Sequence, residues 1–160
     1  MPRIKAVQAA LSGTFIAVAL NVAVAQERFP TETILLPTAN GYVEREVEIA
    51  DTSDRRAQGY MHRTEIEPED GMLFVFDPPR PVSMWMRNTP TSLDMVFIEN
   101  DGTIESIRTD TVPFSTDITS SRGEVGFVLE LLAGQSEALG LREGAKLRGE
   151  RFDDTAEGRE

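Results

Sequence analysis

The side chains that could bind a metal or a ligand are concentrated between Gly59 and Ile98. Five of the six methionines, the only tryptophan and the only histidine lie in this segment. Met84 and Met86 are two residues apart, so a strand would present both on one face, with Trp85 on the other. Thioether and imidazole groups suit Cu(I), although methionine also fills irregular hydrophobic cores. The candidate soft-metal site consists of Met61, His62, Met84 and Met86.

Two carboxylates interrupt stretches that are otherwise apolar. Asp94 lies between Leu93 and Met95, and Glu130 lies between two leucines. A buried carboxylate is costly unless it is paired or hydrogen-bonded, which predicts an ion pair such as Arg63 or Arg87 with Asp94. The alternative is a pocket for a polar ligand such as a sugar or a peptide, because tryptophan stacks on sugar faces. The predicted lining of that pocket is Arg63, Trp85, Asn88, Thr89, Asp94 and Glu130.

The sequence contains no recognisable catalytic set. A Ser-His-Asp triad would need His62, and no Gly-x-Ser-x-Gly turn is present. Phosphate-binding and dinucleotide-binding glycine motifs are absent. A pair of carboxylates can hydrolyse a glycosidic bond, so Asp94 with Glu130 leaves a hydrolase open as an alternative. The prediction leans towards a protein that is not an enzyme, with no catalytic residue assigned.

The acidic stretch between residues 65 and 70 is a second place where a cation could bind. Carboxylate oxygens at this density could hold Ca²⁺, but the spacing is not that of an EF-hand, and alternating acids in a loop are usually solvated. The four acids are Glu65, Glu67, Glu69 and Asp70. No cofactor is therefore predicted, and copper and calcium stay open as alternatives.

Residues 1–25 have the three parts of a secretory signal peptide in order. Arg3 and Lys5 precede an apolar run over residues 6–20, and the small-residue site Ala23-Val24-Ala25 follows it. A spanning helix needs about 20 apolar residues, and Asn21 weakens this run, so cleavage is favoured over retention as an anchor. We expect a periplasmic or secreted protein with no membrane span after cleavage.

The composition narrows the classes of partner. The chain has 160 residues, a formal net charge of −11 and no cysteine. An acidic chain repels a phosphate backbone, so nucleic-acid binding is not expected. Absence of cysteine rules out thiol catalysis, thiolate metal sites and disulfides. The length predicts a single globular domain over residues 26–152. The polar composition of residues 153–160 predicts a disordered tail, and a monomer is expected.

Alternating and continuous apolar stretches predict many short strands and two short helices. This pattern is typical of an α+β domain with a mostly antiparallel, curled or barrel-like sheet. The strands that flank Asp94 and Glu130 are apolar on both faces, so both sides of the sheet must be covered. The predicted strands are 33–36, 42–49, 72–76, 82–86, 93–98, one beginning at 104, 125–132 and 146–152, and the predicted helices are 53–61 and 134–139.

Several separate motifs resemble an uncharacterised family known as domain of unknown function 192, over about residues 33–151. The resemblance implies a small, mostly β domain with a barrel-like sheet and no known activity. His62 departs from the apolar residue that the family usually places there. The motifs are Gly59-x-Met61-x-Arg63, Gly71-Met72-Leu73-Phe74-x-Phe76, Trp85-Met86-x-Asn88-Thr89, Leu93-Asp94-x-x-Phe97-Ile98, Gly102-x-Ile104, Leu129-Glu130-x-x-Ala133-Gly134 and Leu139-Gly140-Leu141-x-x-Gly144.

Together these features predict an exported, acidic, single-domain protein. Its expected role is to bind an unknown small ligand or an envelope protein without catalysis. A copper-binding protein and a carboxylate-based hydrolase are the alternatives.

Overall fold

The computed structural model describes residues 29–152. The predicted signal peptide, its cleavage site and the C-terminal tail lie outside these residues. Within them, no helix combines the length and hydrophobicity needed to cross a membrane. The elements are β1 (Thr31–Thr38), β2 (Gly41–Ala50), α1 (Ser53–Gln58), β3 (Gly71–Met84), β4 (Leu93–Ile98), β5 (Ile104–Arg108), β6 (Thr119–Leu132) and α2 (Gln135–Leu139).

The six strands form one mixed sheet in the order β1-β2-β3-β6-β4-β5. All neighbouring strands are antiparallel except β2 and β3, because α1 and a loop cross over between these two. The predicted α+β class and mostly antiparallel sheet are confirmed. The barrel-like closure is wrong, because the sheet stays open. Single bridges of Lys146 to Thr103 and of Arg148 to Leu35 are the only pairing that the C-terminal segment adds at the two edges within the described residues.

Both faces of the sheet are covered by apolar side chains, as the doubly apolar strands predicted. One layer is closed by Leu141, Leu147 and Phe152 and is called here the C-terminal layer. The opposite layer is closed by Tyr60 and Ile66, which lie in the loop between α1 and β3, and is called the loop layer. Alternate residues of β4, and of β6 from Val125 to Leu131, therefore enter different layers, and these stretches have no water-facing side on which a charged residue could lie.

Two predicted elements differ from the structure. Separate strands are predicted at 72–76 and 82–86, yet β3 runs continuously through the prolines at 78, 79 and 81, with a register shift between Val75 and Arg80. The strand predicted at 146–152 is wrong. Gly144 and Gly149 have φ angles of 80° and 147°, which L side chains rarely adopt, and a helical turn begins at Glu150.

Asp94 stabilises the junction between β4 and the start of α2. Its side chain is fully buried, and one carboxylate oxygen accepts hydrogen bonds from Gly134 N (3.0 Å), Ser136 N (3.0 Å) and Ser136 Oγ (2.6 Å). The other oxygen accepts from Asp110 N at 3.1 Å. The predicted ion pair is not formed, because backbone and hydroxyl donors occupy both oxygens.

We expect Asp94→Ala to lower the free energy of unfolding by roughly 3–5 kcal/mol, because several buried donors lose their acceptor at once. Denaturant titration measures the change. Asp117→Ala is the matched control, since Asp117 is exposed and such a substitution usually changes stability by about 0.5 kcal/mol or less. Equal stability of the two variants would show that the Asp94 carboxylate contributes nothing net.

Candidate functional site

A pocket of about 270 Å³ opens on the loop layer between α1 and the end of β3. Four chain segments meet there: α1 and the loop after it, the middle and end of β3, the turn that follows β3, and β6. Residues from four of the motifs named above contribute to its wall. The lining residues are Arg56, Ala57, Gln58, Gly59, Tyr60, Met61, Phe74, Phe76, Ser83, Met84, Trp85, Arg87, Thr89 and Glu130.

Glu130 is the only carboxylate in this wall, and it has no partner. In the sheet it is paired with Met72 of β3 on one side and with Met95 of β4 on the other. Its side chain is 4% exposed, and no hydrogen bond or ion pair reaches its carboxyl group from residues 29–152. Burial without compensation raises the pKa of Glu130 from 4.5 to about 8. The group is therefore mainly protonated at neutral pH and can donate a hydrogen bond.

Tyr60 supplies a second unsatisfied polar group. Its side chain is 3% exposed, and its hydroxyl has no hydrogen-bond partner in the described part of the chain. Burial, followed by the nearby charges of Glu130 and Glu48, raises the pKa of the Tyr60 phenol above its usual value, so the hydroxyl keeps its proton. Buried polar groups are normally satisfied, and two buried polar groups of this pocket wall have no hydrogen-bond partner within residues 29–152.

Tyr60 also forms part of the wall of a second, smaller cavity of about 160 Å³. Arg63 lies in that cavity, with its guanidinium 5.2 Å from the Tyr60 ring centroid and its Nη1 2.7 Å from Glu48 Oε2. The positive charge of Arg63 is thus balanced by Glu48. Arg63 does not line the larger pocket; its guanidinium packs against the ring of Tyr60, which does.

Trp85 and two arginines form the more exposed part of the pocket. Trp85 is 45% exposed, and the Arg87 guanidinium lies 5.1 Å from its ring centroid. Arg56 Nη1 donates to the carbonyl oxygens of Asp51 (2.6 Å) and Val75 (2.9 Å). These bonds fix Arg56 in place, whereas the guanidinium of Arg87 donates no hydrogen bond within residues 29–152.

Apolar side chains beside Trp85 enlarge the exposed hydrophobic surface at this end. Met84, the residue before Trp85, pairs with Thr119, the residue after Ile118, so Trp85 and Ile118 leave the paired strands at the same end of the sheet. Phe114 N donates to Thr89 O at 3.0 Å, which brings the loop after β5 against the turn that follows β3. The exposed apolar residues of this loop are Val112, Phe114 and Ile118.

The structure brings together half of the predicted ligand-binding residues. Trp85, Thr89 and Glu130 line the pocket. Asn88 lies at its border, where its Nδ2 is 3.8 Å from Met61 Sδ and its carbonyl accepts from His62 N. Arg63 lies behind Tyr60, and Asp94 points into the C-terminal layer. Ligand binding by these residues stays a prediction.

The predicted soft-metal residues are divided between different environments. Met61 and Met84 both line the pocket, whereas Met86 is buried in the loop layer and His62 is exposed. In the acidic loop, all four acids are exposed, and Asp70 Oδ2 accepts from Glu67 N at 2.8 Å. Among residues 29–152, no three His, Asp or Glu side chains are grouped so that they could hold a metal ion.

The two carboxylates suggested for hydrolysis are not brought together. Glu130 is paired with Met95, and Asp94 is paired with Leu131. Directly paired residues share a face of the sheet, so Asp94 and Glu130 lie on opposite faces. These two groups therefore cannot flank one glycosidic bond.

Residues 35–149 match the family DUF192, described as "Uncharacterized ACR, COG1430". The chain belongs to this family, as its motifs predicted. A crystal structure of a candidate transcription regulator from Sinorhizobium meliloti 1021 is similar, with 44% identity and a TM-score of 0.74, over 78% of this chain and 97% of that one. A protein of unknown function from Novosphingobium aromaticivorans DSM 12444 has 32% identity and a TM-score of 0.71, over 74% and 85%. No curated protein matches the chain.

Sequence reasoning missed Tyr60 and Arg56. Tyr60 stands between Gly59 and Met61 of the first motif, which was a usable signal, but only the fold shows that its hydroxyl lacks a partner. Arg56 lies on α1, a helix with no buried residue, and nothing in the sequence distinguishes it from a solvated arginine. Glu130 was found because a charge inside an apolar strand is rarely accidental.

We expect the free energy of unfolding to fall as the pH rises from about 4.5, the ordinary pKa of the Glu130 carboxyl in the unfolded chain, to about 8, its pKa in the folded protein. The folded state holds this proton more tightly than the unfolded state, so the contribution is complete below the lower value and lost above the upper one. Glu130→Gln cannot ionise and should remove this fall, which is roughly 5 kcal/mol at most.

Urea titrations across this interval measure the effect as the difference between wild type and variant. Glu124→Gln, at an exposed position of the same strand, should follow the wild-type profile. Parallel profiles for wild type and Glu130→Gln would mean that the Glu130 carboxyl ionises as it does in water.

Proposed function

We propose that this protein is a non-enzymatic binding module of the bacterial cell envelope that takes up a small ligand in the pocket beside Trp85. The observation that carries the proposal is the pair of buried polar groups, Tyr60 and Glu130, that face the pocket without partners. A buried polar group without a hydrogen bond costs roughly 1–3 kcal/mol. A ligand that supplies the missing bonds recovers this free energy on binding.

The surroundings of the pair support a binding role. Five of the other twelve lining residues have aromatic or thioether side chains, and apolar walls with a few well-placed polar groups are typical of small-molecule sites. Trp85 is half exposed at one end, where a ligand could cover it. Direct DNA binding forms no part of the proposal, because the chain carries a formal charge of −11 and would be repelled by phosphates.

A soft-metal role is the second candidate, favoured by the two thioethers of Met61 and Met84 in the same pocket wall. Cu(I) would use these sulfur atoms and would quench the fluorescence of Trp85, the only tryptophan. A Cu(I) titration in the presence of a competing chelator tests this candidate. Failure to remove copper from the chelator ends it.

Export is supported by the three-part pattern in residues 1–25. Expression of the whole chain in a bacterium should yield a periplasmic product that begins at Gln26, and intact-protein mass spectrometry of the periplasmic fraction measures this directly. Substitution of Ala23 and Ala25 by bulky residues should block the cleavage. A full-length product in the cytoplasmic fraction would contradict export.

We expect Tyr60→Phe to have opposite effects on stability and binding. Without ligand, removal of a buried hydroxyl that has no partner should leave the free energy of unfolding unchanged or raise it by up to about 1 kcal/mol. Binding of a pocket ligand, found in a thermal-shift screen of oligosaccharides, short peptides and small organic compounds, should weaken about tenfold, since the ligand loses one hydrogen bond.

Tyr42→Phe is the matched control, since the only other tyrosine lies on β2 with an exposed ring under Arg148. It should change neither quantity. Destabilisation by Tyr60→Phe without any ligand would contradict the proposal, because the hydroxyl would then have a structural partner. The proposal is also contradicted if every compound that binds leaves the fluorescence of Trp85 unaltered, because binding would then take place away from this pocket.

A further inference from the structure

The polar groups of the pocket share one property, which is that they donate hydrogen bonds at neutral pH. The Tyr60 hydroxyl is protonated, the guanidinium groups of Arg56 and Arg87 carry only donors, and burial raises the pKa of Glu130 to about 8. The pocket wall is thus electropositive within a chain whose formal charge is −11. A local field opposite in sign to the net charge selects ligands of negative charge.

These donors are arranged by depth. Glu130 and Tyr60 are 4% and 3% exposed and form the deep end. Arg87 is exposed and stacks on the half-exposed Trp85, so it belongs to the rim. Phe74 and Met84 line the wall as well. A ligand therefore meets uncharged donors at the deep end, apolar contacts along its body and a cation at the rim.

From this arrangement, and resting on the proposed function above, we propose that the pocket binds a small organic carboxylate with an apolar or aromatic body. Its carboxylate lies at the rim against Arg87, with Arg56 close by. At the other end, an uncharged oxygen such as a carbonyl or ether accepts hydrogen bonds from Tyr60 and Glu130. This orientation satisfies both buried groups and places the anionic charge where solvent still reaches it.

An ammonium ligand is the competing possibility, because a buried carboxylate can serve as its counter-ion. The two arginines in the same wall disfavour it by like-charge repulsion. Arg80 on β3 lies 5.1 Å from the ring centroid of Phe76, which lines the pocket. Arg56 from α1 and Arg87 after β3 lie in the pocket, and Glu48, Asp70 and Arg63 act on Tyr60 from the other cavity. On the sheet, Glu130 is flanked by uncharged Met72 and Met95.

The test uses three aromatic compounds of nearly equal size that differ only in the rim group: para-acetylbenzoate, para-acetylbenzamide and para-acetylbenzylamine. Each is titrated into the protein while the single indole N–H resonance of Trp85 is followed by nuclear magnetic resonance. We expect the carboxylate to bind at least about ten times more tightly than the amide, and the amine to bind most weakly. Replacement of the acetyl group by ethyl should also weaken binding about tenfold.

Two protein variants distinguish direct contact with the Arg87 guanidinium from the long-range effect of a positive charge. Arg87→Gln should weaken binding of the carboxylate about tenfold and leave the amide unaffected. Arg142→Gln removes the same charge at an exposed position in the loop after α2 and should alter neither. For the carboxylate, affinity should decrease as the pH rises through about 8, the pKa of Glu130, because the deep donor becomes an anion.

The outcomes distinguish this inference from the proposed function. Tightest binding by the amine, with affinity that rises with pH, would overturn the inference and identify Glu130 as a counter-ion, while the pocket remains a binding site. Equal affinity for the carboxylate and the amide would also overturn it. If none of the three compounds shifts the Trp85 resonance but the thermal-shift screen yields another pocket ligand, the carboxylate inference is overturned and the proposed binding function remains. If the screen yields no pocket ligand either, the inference and the proposed function are both overturned.

Discussion

The fold depends on the coverage of β4 and β6 by apolar layers on both faces. Every side chain of β4, and of β6 from Val125 to Leu131, enters a protein interior, so a carboxylate there must find donors or remain uncharged. Asp94 and Glu130 illustrate the two solutions. Asp94 accepts four hydrogen bonds in the C-terminal layer, whereas Glu130 faces a pocket in the loop layer and keeps its proton. One group fixes the structure, and the other remains available for a ligand.

The pocket exists because the loop layer is closed by loops rather than by a long helix. The segment that contains Tyr60 and the turn that contains Asn88 are joined by the bond from His62 N to Asn88 O. Both His62 and Asn88 have positive φ angles, a backbone state that costs free energy for a residue other than glycine. Residues of both segments line the pocket, together with β3 and β6.

Much of the fold was readable from the sequence, whereas much of the site was not. The alternating pattern of β2 and the continuous apolar runs of β4 and β6 specify strands and their coverage, because burial acts on each strand separately. The course of β3 through its prolines was not readable, since strand pairing depends on a partner distant in the chain. Glu130 was identified by its apolar neighbours, but the missing partner of Tyr60 and the separation of Asp94 from Glu130 depend on tertiary register.

The single bridges made by the C-terminal segment have a consequence for solubility. A sheet that stays open has two edge strands whose free N–H and C=O groups could recruit a strand from another copy and begin aggregation. Leu35 on β1 exchanges backbone hydrogen bonds with Arg148, and Ile104 at the start of β5 donates to Ala145. A short stretch of chain thus shields part of both edges, where a strand from another copy would otherwise add.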